Sequence, residues 1–121
     1  IASIAGKGYS GSSNAAYAAS KGAVIAMTTI AAQQLGGYGI RVNVVCPGTT
    51  QTALLDRIVD SIAESQGVKS QVVSNSRSKI IPTGRDSTPE DIAYMVTFLA
   101  GPGASNITGQ AINVDGGLMT H

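Results

Sequence analysis

Alternating strand-like and helical segments are the feature that most constrains the fold of this 121-residue chain. Short apolar runs at 1–3, 40–46 and 110–114 have strand character, and each leads into a glycine-containing turn. Helical patterns over 14–35 and 89–100 separate them. This order is typical of a parallel sheet with helical crossovers. We expect an α/β fold containing three strands and their helices, which is half of a doubly wound sheet.

A second group of helical signals lies between the last two strands. The segment from Thr52 to about Gln66 has apolar residues at helical spacing, and a polar stretch follows it to about Lys79. We expect residues of about 49–80 to form a surface lid. Thr88-Pro89 then supplies a hydroxyl cap and a first-turn proline for the last helix.

Ligands of doubly wound sheets bind at the carboxyl ends of the strands. In this sequence those ends are the loop that contains Ser3, the Pro47-Gly48 turn and the turn 115–117. The last of these has a local explanation, because Asp-Gly-Gly is typical of a tight turn. The first two are therefore the better candidates for a functional site.

The opening of the long helix contains the most suggestive pair of side chains. Tyr17 and Lys21 are four residues apart, so a helix brings them to one face. A phenol ordinarily titrates near pH 10, and a nearby cation favours its ionised form. Ser3 offers a hydroxyl that could polarise a carbonyl while Tyr17 moves a proton. The alternative interpretation is that Tyr17 and Lys21 are an exposed aromatic ring and a solvated lysine without a functional role, because short motifs often match by chance.

Composition excludes several classes of function. The net charge is +1 and the eight basic residues form no run, which disfavours nucleic-acid binding. No run of about 18 uninterrupted apolar residues exists, which disfavours a membrane span. The single cysteine, Cys46, lies in an apolar strand, so we expect a core residue and a reducing, cytoplasmic environment. No cluster of His, Cys or acidic residues has metal-ligand spacing, and we expect no metal.

Some polar residues have a structural explanation that we prefer. Arg85 and Asp86 are expected to anchor the end of the lid to the following helix. Asn43 lies in a strand, where a satisfied amide is the expected role.

Several motifs in order resemble the C-terminal half of the short-chain dehydrogenase/reductase family. The motif YAASKGAV is preceded by SIAG and followed by GIRVNVVCPGTTQT, PTGRDSTPEDIA and FLAGPGASNITGQAINVDGG, so the resemblance covers essentially the whole chain. It implies one Rossmann-type domain in which Ser3, Tyr17 and Lys21 are catalytic. It also implies that the N-terminal, cofactor-binding half lies upstream of residue 1, in agreement with a sequence that opens without methionine.

The cofactor implied by the resemblance is NAD or NADP, which would supply the hydride that no side chain can provide. In the family, the tyrosine and lysine contact the nicotinamide ribose, and a proline-glycine turn with a following threonine holds the nicotinamide. By motif position the cofactor-binding residues are Tyr17, Lys21, Pro47, Gly48, Thr49 and Thr52.

One departure from the family concerns the serine. The interval from Ser3 to Tyr17 is about one residue longer than is usual, which places a small insertion in GKGYSGSSNAA. Ser10, Ser12 and Ser13 therefore remain alternatives to Ser3.

These observations lead to three hypotheses. The first is an oxidoreductase that interconverts a secondary alcohol and a ketone on a small hydroxyketone, diol or polyol, because the lid resembles that of acetoin reductases, butanediol dehydrogenases and polyol dehydrogenases. The second is a 3-oxoacyl-[acyl-carrier-protein] reductase, which shares every motif. The third, of another class, is a non-catalytic truncated member that docks on partners. The family resemblance also implies a homo-oligomer, a dimer or tetramer, formed through the helix 14–35.

Overall fold

The computed structural model describes residues 1–11 and 13–121. Within them, the helices and strands in chain order are α1 (Ala15–Leu35), β1 (Val44–Pro47), α2 (Ala53–Gln66), α3 (Ser70–Ser78), α4 (Pro89–Ala100) and β2 (Ala111–Val114). Short 3₁₀ turns occupy Ile4–Lys7, Gly36–Tyr38 and Pro102–Ala104.

The sheet is parallel, as the alternation of segments predicts. Strands β1 and β2 pair in register from Val44 opposite Ala111 to Pro47 opposite Val114. The connection between them runs through α2, α3 and α4. The α/β class is therefore confirmed.

The expected first strand is not formed. Within the described residues, one backbone hydrogen bond joins the run 1–3 to β1, from the Ala2 N–H to the Val45 carbonyl at 2.8 Å. The chain then turns at once into the 3₁₀ turn Ile4–Lys7, where the Ser3 hydroxyl accepts from the Ala5 N–H. The sheet consequently has two assigned strands, and the run 1–3 lies beside β1 without a regular ladder.

Strand β1 also begins later than the predicted 40–46. The Val42 N–H is bound by the Thr108 hydroxyl at 3.0 Å, and the Val42 carbonyl accepts from the Gly109 N–H at 2.7 Å. The Arg41 guanidinium donates to the Leu99 carbonyl at 2.7 Å. The two Val42 groups therefore engage the loop before β2 and Arg41 engages the end of α4, so the regular ladder starts at Val44.

The core lies on both faces of β1, because successive side chains of a strand point to opposite faces. On the α1 side, Val44 and Cys46 are buried with Ala2 and Ile4. On the α4 side, Val45 is buried with two residues from α4 and its following turn, Leu99 and Ala104. Helices α1 and α4 therefore cover opposite faces of β1, next to the edge at which Ser3 and Gly48 lie.

Helices α2 and α3 form a separate pair with a small apolar contact of their own. The buried residues of that contact are Val59, Ala63 and Val73. The helix predicted over 52–66 is confirmed, whereas α3 falls in a stretch that the sequence leaves without structure. The sequence has no clear helical signal here because Val73 is the buried residue of α3 and Lys69, at the start of the helix, makes no side-chain capping bond.

Helix α1 begins and ends as predicted, but it is less covered than a core helix. Its buried residues are Thr28 and Ala32. By length and composition, the stretch Ala15–Tyr38 is apolar enough to cross a membrane, and little of it is buried. A core helix of a soluble protein meets the same test, and α1 packs Val24 and Ile25 on the sheet.

Candidate active site

The Tyr17 and Lys21 side chains lie together, as their spacing predicts. The Asn14 side chain caps α1 by accepting from the Tyr17 N–H at 2.9 Å, which fixes where the first helical turn begins. The Lys21 Nζ atom lies 5.6 Å from the centroid of the Tyr17 ring, a distance typical of a cation–π contact. Tyr17 keeps 45% of its surface exposed, so its phenol is open to a ligand.

The turn that follows Ser3 is held against α1 by a close backbone contact. A Cβ atom added to Gly6 would lie 2.6 Å from the Lys21 carbonyl carbon and 2.8 Å from the Gly22 backbone nitrogen. No side chain fits there, because carbon atoms normally stay about 3.5–4.0 Å apart. Glycine at position 6 therefore allows the Ser3 turn to reach the helix segment that carries Lys21.

Ser3 and Tyr17 line one cavity of about 510 Å³. Its other lining residues are Ile4, Ala5, Tyr9, Ser13, Asn14, Gly48, Thr49 and Leu54. Of the predicted site, the structure thus brings together Ser3, Tyr17, Gly48 and Thr49. Lys21 is not among the residues that line the cavity. It is connected to this group by its contact with the Tyr17 ring.

Pro47 and Thr52 have local structural roles and lie outside the lining of this cavity. Pro47 is the last residue of β1. The Thr52 hydroxyl caps α2 by accepting from the Leu55 N–H at 3.4 Å. Their assignment to cofactor binding stays a prediction from family position.

Gly48 is fixed by the neighbouring strand end. Its N–H donates to the Val114 carbonyl at 3.0 Å, and an added Cβ would lie 2.6 Å from the Asp115 Cβ. The Asp115 carboxylate in turn accepts from the Gly117 and Met119 N–H groups, each at 2.9 Å. The turn after β2 is therefore structural, and it holds the rim of the cavity at Gly48.

The alternatives to Ser3 differ in their placement. Ser13 lines the cavity, and its hydroxyl donates to the Tyr9 carbonyl at 3.4 Å. Ser10 is exposed and is not among the lining residues. Ser12 lies outside the described residues. Of these four candidate serines, Ser3 and Ser13 are therefore the described ones that line the cavity with Tyr17.

Ion pairs tie the end of the helical pair to α4, as expected. Arg85 contacts the Asp91 carboxylate of α4 at 2.6 Å, and Asp86 contacts Arg77 of α3 at 3.4 Å. Hydrogen bonds from Arg85, and then from the Thr88 backbone, hold the pKa of the Asp91 carboxyl well below its usual range. The predicted anchoring role of Arg85 and Asp86 is confirmed.

Two further predictions of structural roles are confirmed. The Asn43 amide donates to the Ile107 carbonyl at 2.8 Å and accepts from the Gln110 N–H at 3.1 Å. Cys46 is fully buried, and burial raises the pKa of its thiol. The cysteine is accordingly a core residue rather than a nucleophile.

Arg77 is a residue near the cavity that the sequence gives no reason to select. It lines a smaller cavity of about 90 Å³ together with Tyr9, Gly11, Thr49, Ile80, Ile81 and Leu118. It lies in a polar stretch with no motif around it, so the sequence gives no signal for it.

Within residues 1–11 and 13–121, no group of three or more His, Cys, Asp or Glu is placed to hold a metal ion.

Comparison with known proteins identifies the family. The family profile described as enoyl-(acyl carrier protein) reductase matches residues 1–119. A short-chain dehydrogenase/reductase of Armillaria gallica is 43% identical over 104 residues, which cover 86% of this chain and 38% of that protein. This chain belongs to the short-chain dehydrogenase/reductase family. Members of this family are oxidoreductases, and the resemblance inferred from the motifs is confirmed.

Another curated relative in the same family has a named reaction. The diacetyl reductase [(S)-acetoin forming] of Staphylococcus aureus is 41% identical over 102 residues, covering 84% of this chain and 40% of that enzyme. The chain thus spans about two fifths of the length of these short-chain dehydrogenase/reductase relatives.

Two solved family structures include a nicotinamide cofactor. The actinorhodin polyketide ketoreductase with NADPH superimposes with a TM-score of 0.87 at 37% identity, covering all of this chain and 46% of that one. The 3-oxoacyl-[acyl-carrier protein] reductase of Brucella melitensis with bound NAD gives a TM-score of 0.77 at 32% identity, covering 98% and 39%.

Proposed function

We propose that this chain is the C-terminal part of a single Rossmann-type domain of an NAD- or NADP-dependent oxidoreductase. The reaction interconverts a secondary alcohol and a ketone on a small hydroxyketone, diol or polyol. The observation that carries the proposal is the placement of Ser3 and Tyr17 on one cavity, with the Lys21 ammonium over the Tyr17 ring. Residues of about 49–80 act as the substrate lid.

The chain's own residues account for the proton chemistry. Ser3 Oγ accepts from the Ala5 N–H, which leaves its O–H free to donate to the substrate oxygen. Tyr17 Oη passes a proton to that oxygen during reduction and takes it back during oxidation. Lys21 places a positive charge beside the phenol as it ionises. The bound nicotinamide supplies or accepts the hydride.

The residues present fit a nicotinamide ribose. Tyr17 is exposed towards the cavity, and Lys21 is partly exposed beside it, so both can donate hydrogen bonds to ribose hydroxyls. Gly48 and Thr49 line the same cavity, with Pro47 directly before them in the chain and Thr52 three residues after Thr49. These six residues would hold the nicotinamide end. Pyrophosphate and adenine contacts belong to the upstream half that we propose.

The wall of the cavity favours a small substrate. Leu54 of α2 and Tyr9 bring apolar surface to a space of about 510 Å³ that the cofactor must share. The diacetyl reductase among the relatives supports a small hydroxyketone. The alternative is a 3-oxoacyl-[acyl-carrier-protein] reductase, which is supported by the solved Brucella reductases at 34% and 32% identity.

The test is turnover by the complete protein that carries this chain. NADH or NADPH oxidation is followed with diacetyl, with acetoin and with a 3-oxoacyl carrier-protein thioester. We expect the small ketones to be reduced and Tyr17→Phe to lose at least about a hundredfold in kcat. Tyr38→Phe is the matched control, since Tyr38 is 81% exposed and lies away from the cavity. Preference for the thioester would favour the alternative, and bound cofactor without any turnover would favour a non-catalytic binding protein.

We further propose that a second copy of the chain, rather than a membrane, covers α1 in a homodimer or homotetramer. Met27 and Ile30 of α1 are more than half exposed, which is costly for a helix with no partner. Ile30→Glu should convert the oligomer to a smaller species in gel filtration, while Ile58→Glu on α2 should not.

The buried, reduced Cys46 supports a cytoplasmic location. Neither surface composition nor charge supports nucleic-acid binding.

A further inference from the structure

Tyr9 lines two neighbouring cavities. One is the cavity of about 510 Å³ that contains Ser3 and Tyr17, and the other is the smaller cavity of about 90 Å³. Among the described residues, Tyr9 and Thr49 are the two that line both. Thr49 has a short side chain, and its carbonyl accepts a hydrogen bond from the Ser87 N–H at 2.9 Å. The Tyr9 side chain therefore supplies most of the bulk that separates the two spaces.

Neighbouring groups hold Tyr9 in this position. Its N–H donates to the Ile4 carbonyl at 3.2 Å, and its carbonyl accepts from the Ser13 hydroxyl at 3.4 Å. Its side chain packs against the buried cluster on the α1 side of β1. A Cβ atom added to Gly11 would lie 2.6 Å from Tyr9 Cε1, so the ring lies directly against the Gly11 backbone. These contacts oppose a movement of the ring that would admit a longer ligand.

The smaller cavity suits a short alkyl group. Three of its lining side chains are apolar, those of Ile80, Ile81 and Leu118. The cation in its wall, Arg77, is paired with Asp86 at 3.4 Å, so the wall presents no unbalanced charge. A water molecule takes up about 30 Å³ in the liquid, so a space of about 90 Å³ holds about three groups of that size.

The position of Tyr9 on the larger cavity gives its ring control over length. Leu54 is 67% exposed, so the cavity is open to solvent on that side. Gly48 and Thr49 are on the side that the nicotinamide occupies in the proposed function. Tyr9 is partly buried and has the apolar cavity behind it. A carbon chain that extends from a carbonyl at Tyr17 towards Tyr9 meets the ring before it reaches that second space.

We propose that Tyr9 is a specificity-determining residue whose ring limits the length of one substituent of the ketone. The inference rests on the proposed function and adds a chain-length limit to it. A methyl group fits in front of the ring, whereas an ethyl or longer group needs the space behind it. A smaller side chain at position 9 joins the two cavities and admits the longer ketone. The limit comes from the volume of the ring, and the phenol hydroxyl has no part in it.

The test compares diacetyl with 3,4-hexanedione as substrates of the complete protein. The second ketone is longer by one methylene group at each end, so neither orientation avoids the ring. The wild-type protein should prefer diacetyl. Tyr9→Ala should raise the ratio of kcat/KM for 3,4-hexanedione to that for diacetyl by at least about tenfold, because one methylene group in an apolar pocket changes kcat/KM by about ten- to two-hundredfold.

Two further variants separate the volume of the ring from hydrogen bonding and from folding. Tyr9→Phe keeps the ring and loses the hydroxyl, so it should keep the wild-type ratio. Tyr9→Leu keeps an apolar side chain against the buried cluster but is smaller, so it should fold and raise the ratio in the same direction as Tyr9→Ala. Tyr94→Ala is the matched control, because Tyr94 is 74% exposed and lines neither cavity. It should keep the wild-type ratio.

The outcomes distinguish this inference from the proposed function. A wild-type ratio in folded Tyr9→Leu, or a raised ratio in Tyr9→Phe, would overturn the chain-length assignment and leave the proposed function intact. Absence of any ketone reduction by the wild-type protein would overturn the proposed function, and the assignment with it. A ratio that rises in Tyr9→Ala and Tyr9→Leu, but not in Tyr9→Phe or Tyr94→Ala, would support both.

Discussion

Replacing Gly6 by alanine should move helix α1, which carries the proposed catalytic residues Tyr17 and Lys21. The added Cβ would lie 2.6 Å from the Lys21 carbonyl carbon and 2.9 Å from the Lys21 carbonyl oxygen. Ordinary carbon contacts begin near 3.5 Å, so the turn and α1 must separate by about 0.9 Å. Both contacting atoms belong to helix backbone, which cannot rotate away. Overpacking of this kind costs about 1 to 3 kcal/mol of stability.

The displacement acts at the residue that lies over the Tyr17 ring. A shift of about 1 Å in a catalytic group lowers rates by about a hundredfold, so kcat should fall further than stability alone explains. Thermal unfolding of this chain and turnover by the complete protein are measured for Gly6→Ala. Gly36→Ala is the control, because its added Cβ meets no atom within 4 Å and Gly36 has helical dihedral angles. Wild-type melting and wild-type kcat in Gly6→Ala would refute the packing argument.

Three further predictions concern individual side chains. Lys21→Ala should weaken cofactor binding as well as rate, and equal cofactor affinity in fluorescence titrations of variant and wild type would contradict its dual role. Asp91→Asn should lower the melting temperature at neutral pH. Because the pKa of Asp91 is lowered in the folded state, its contribution is present above about pH 4 and is lost as the pH falls further, so the two melting temperatures should converge in acid. Cys46 should resist alkylation at pH 8 in the native protein and react after denaturation, since it is fully buried.

Local signals in the sequence account for the best predictions. Asn14 and Thr88 accept hydrogen bonds from the first turns of α1 and α4, so both helix starts are specified by capping side chains. The four-residue interval between Tyr17 and Lys21 fixes their shared face once the helix exists. In each case the determining interaction spans about one helical turn. This part of the site could be predicted without knowledge of distant contacts.

Predictions failed where the determining contact is distant in sequence. Helix α3 depends on packing of Val73 against α2, and apart from Val72 its other residues are polar. The run 1–3 stays outside the ladder because the chain turns at Ile4 and a single bond reaches Val45. Arg77 meets Tyr9 and Thr49 only through the tertiary fold. No local pattern encodes such a meeting.

The contact between Gly48 and Asp115 limits how this protein can be redesigned. Any side chain introduced at position 48 would collide with Asp115, whose carboxylate organises the C-terminal turn. Attempts to reshape the proposed substrate range should therefore begin at Leu54, which lines the same cavity and is 67% exposed. A library at that position can vary size and polarity while the sheet edge beneath it stays intact.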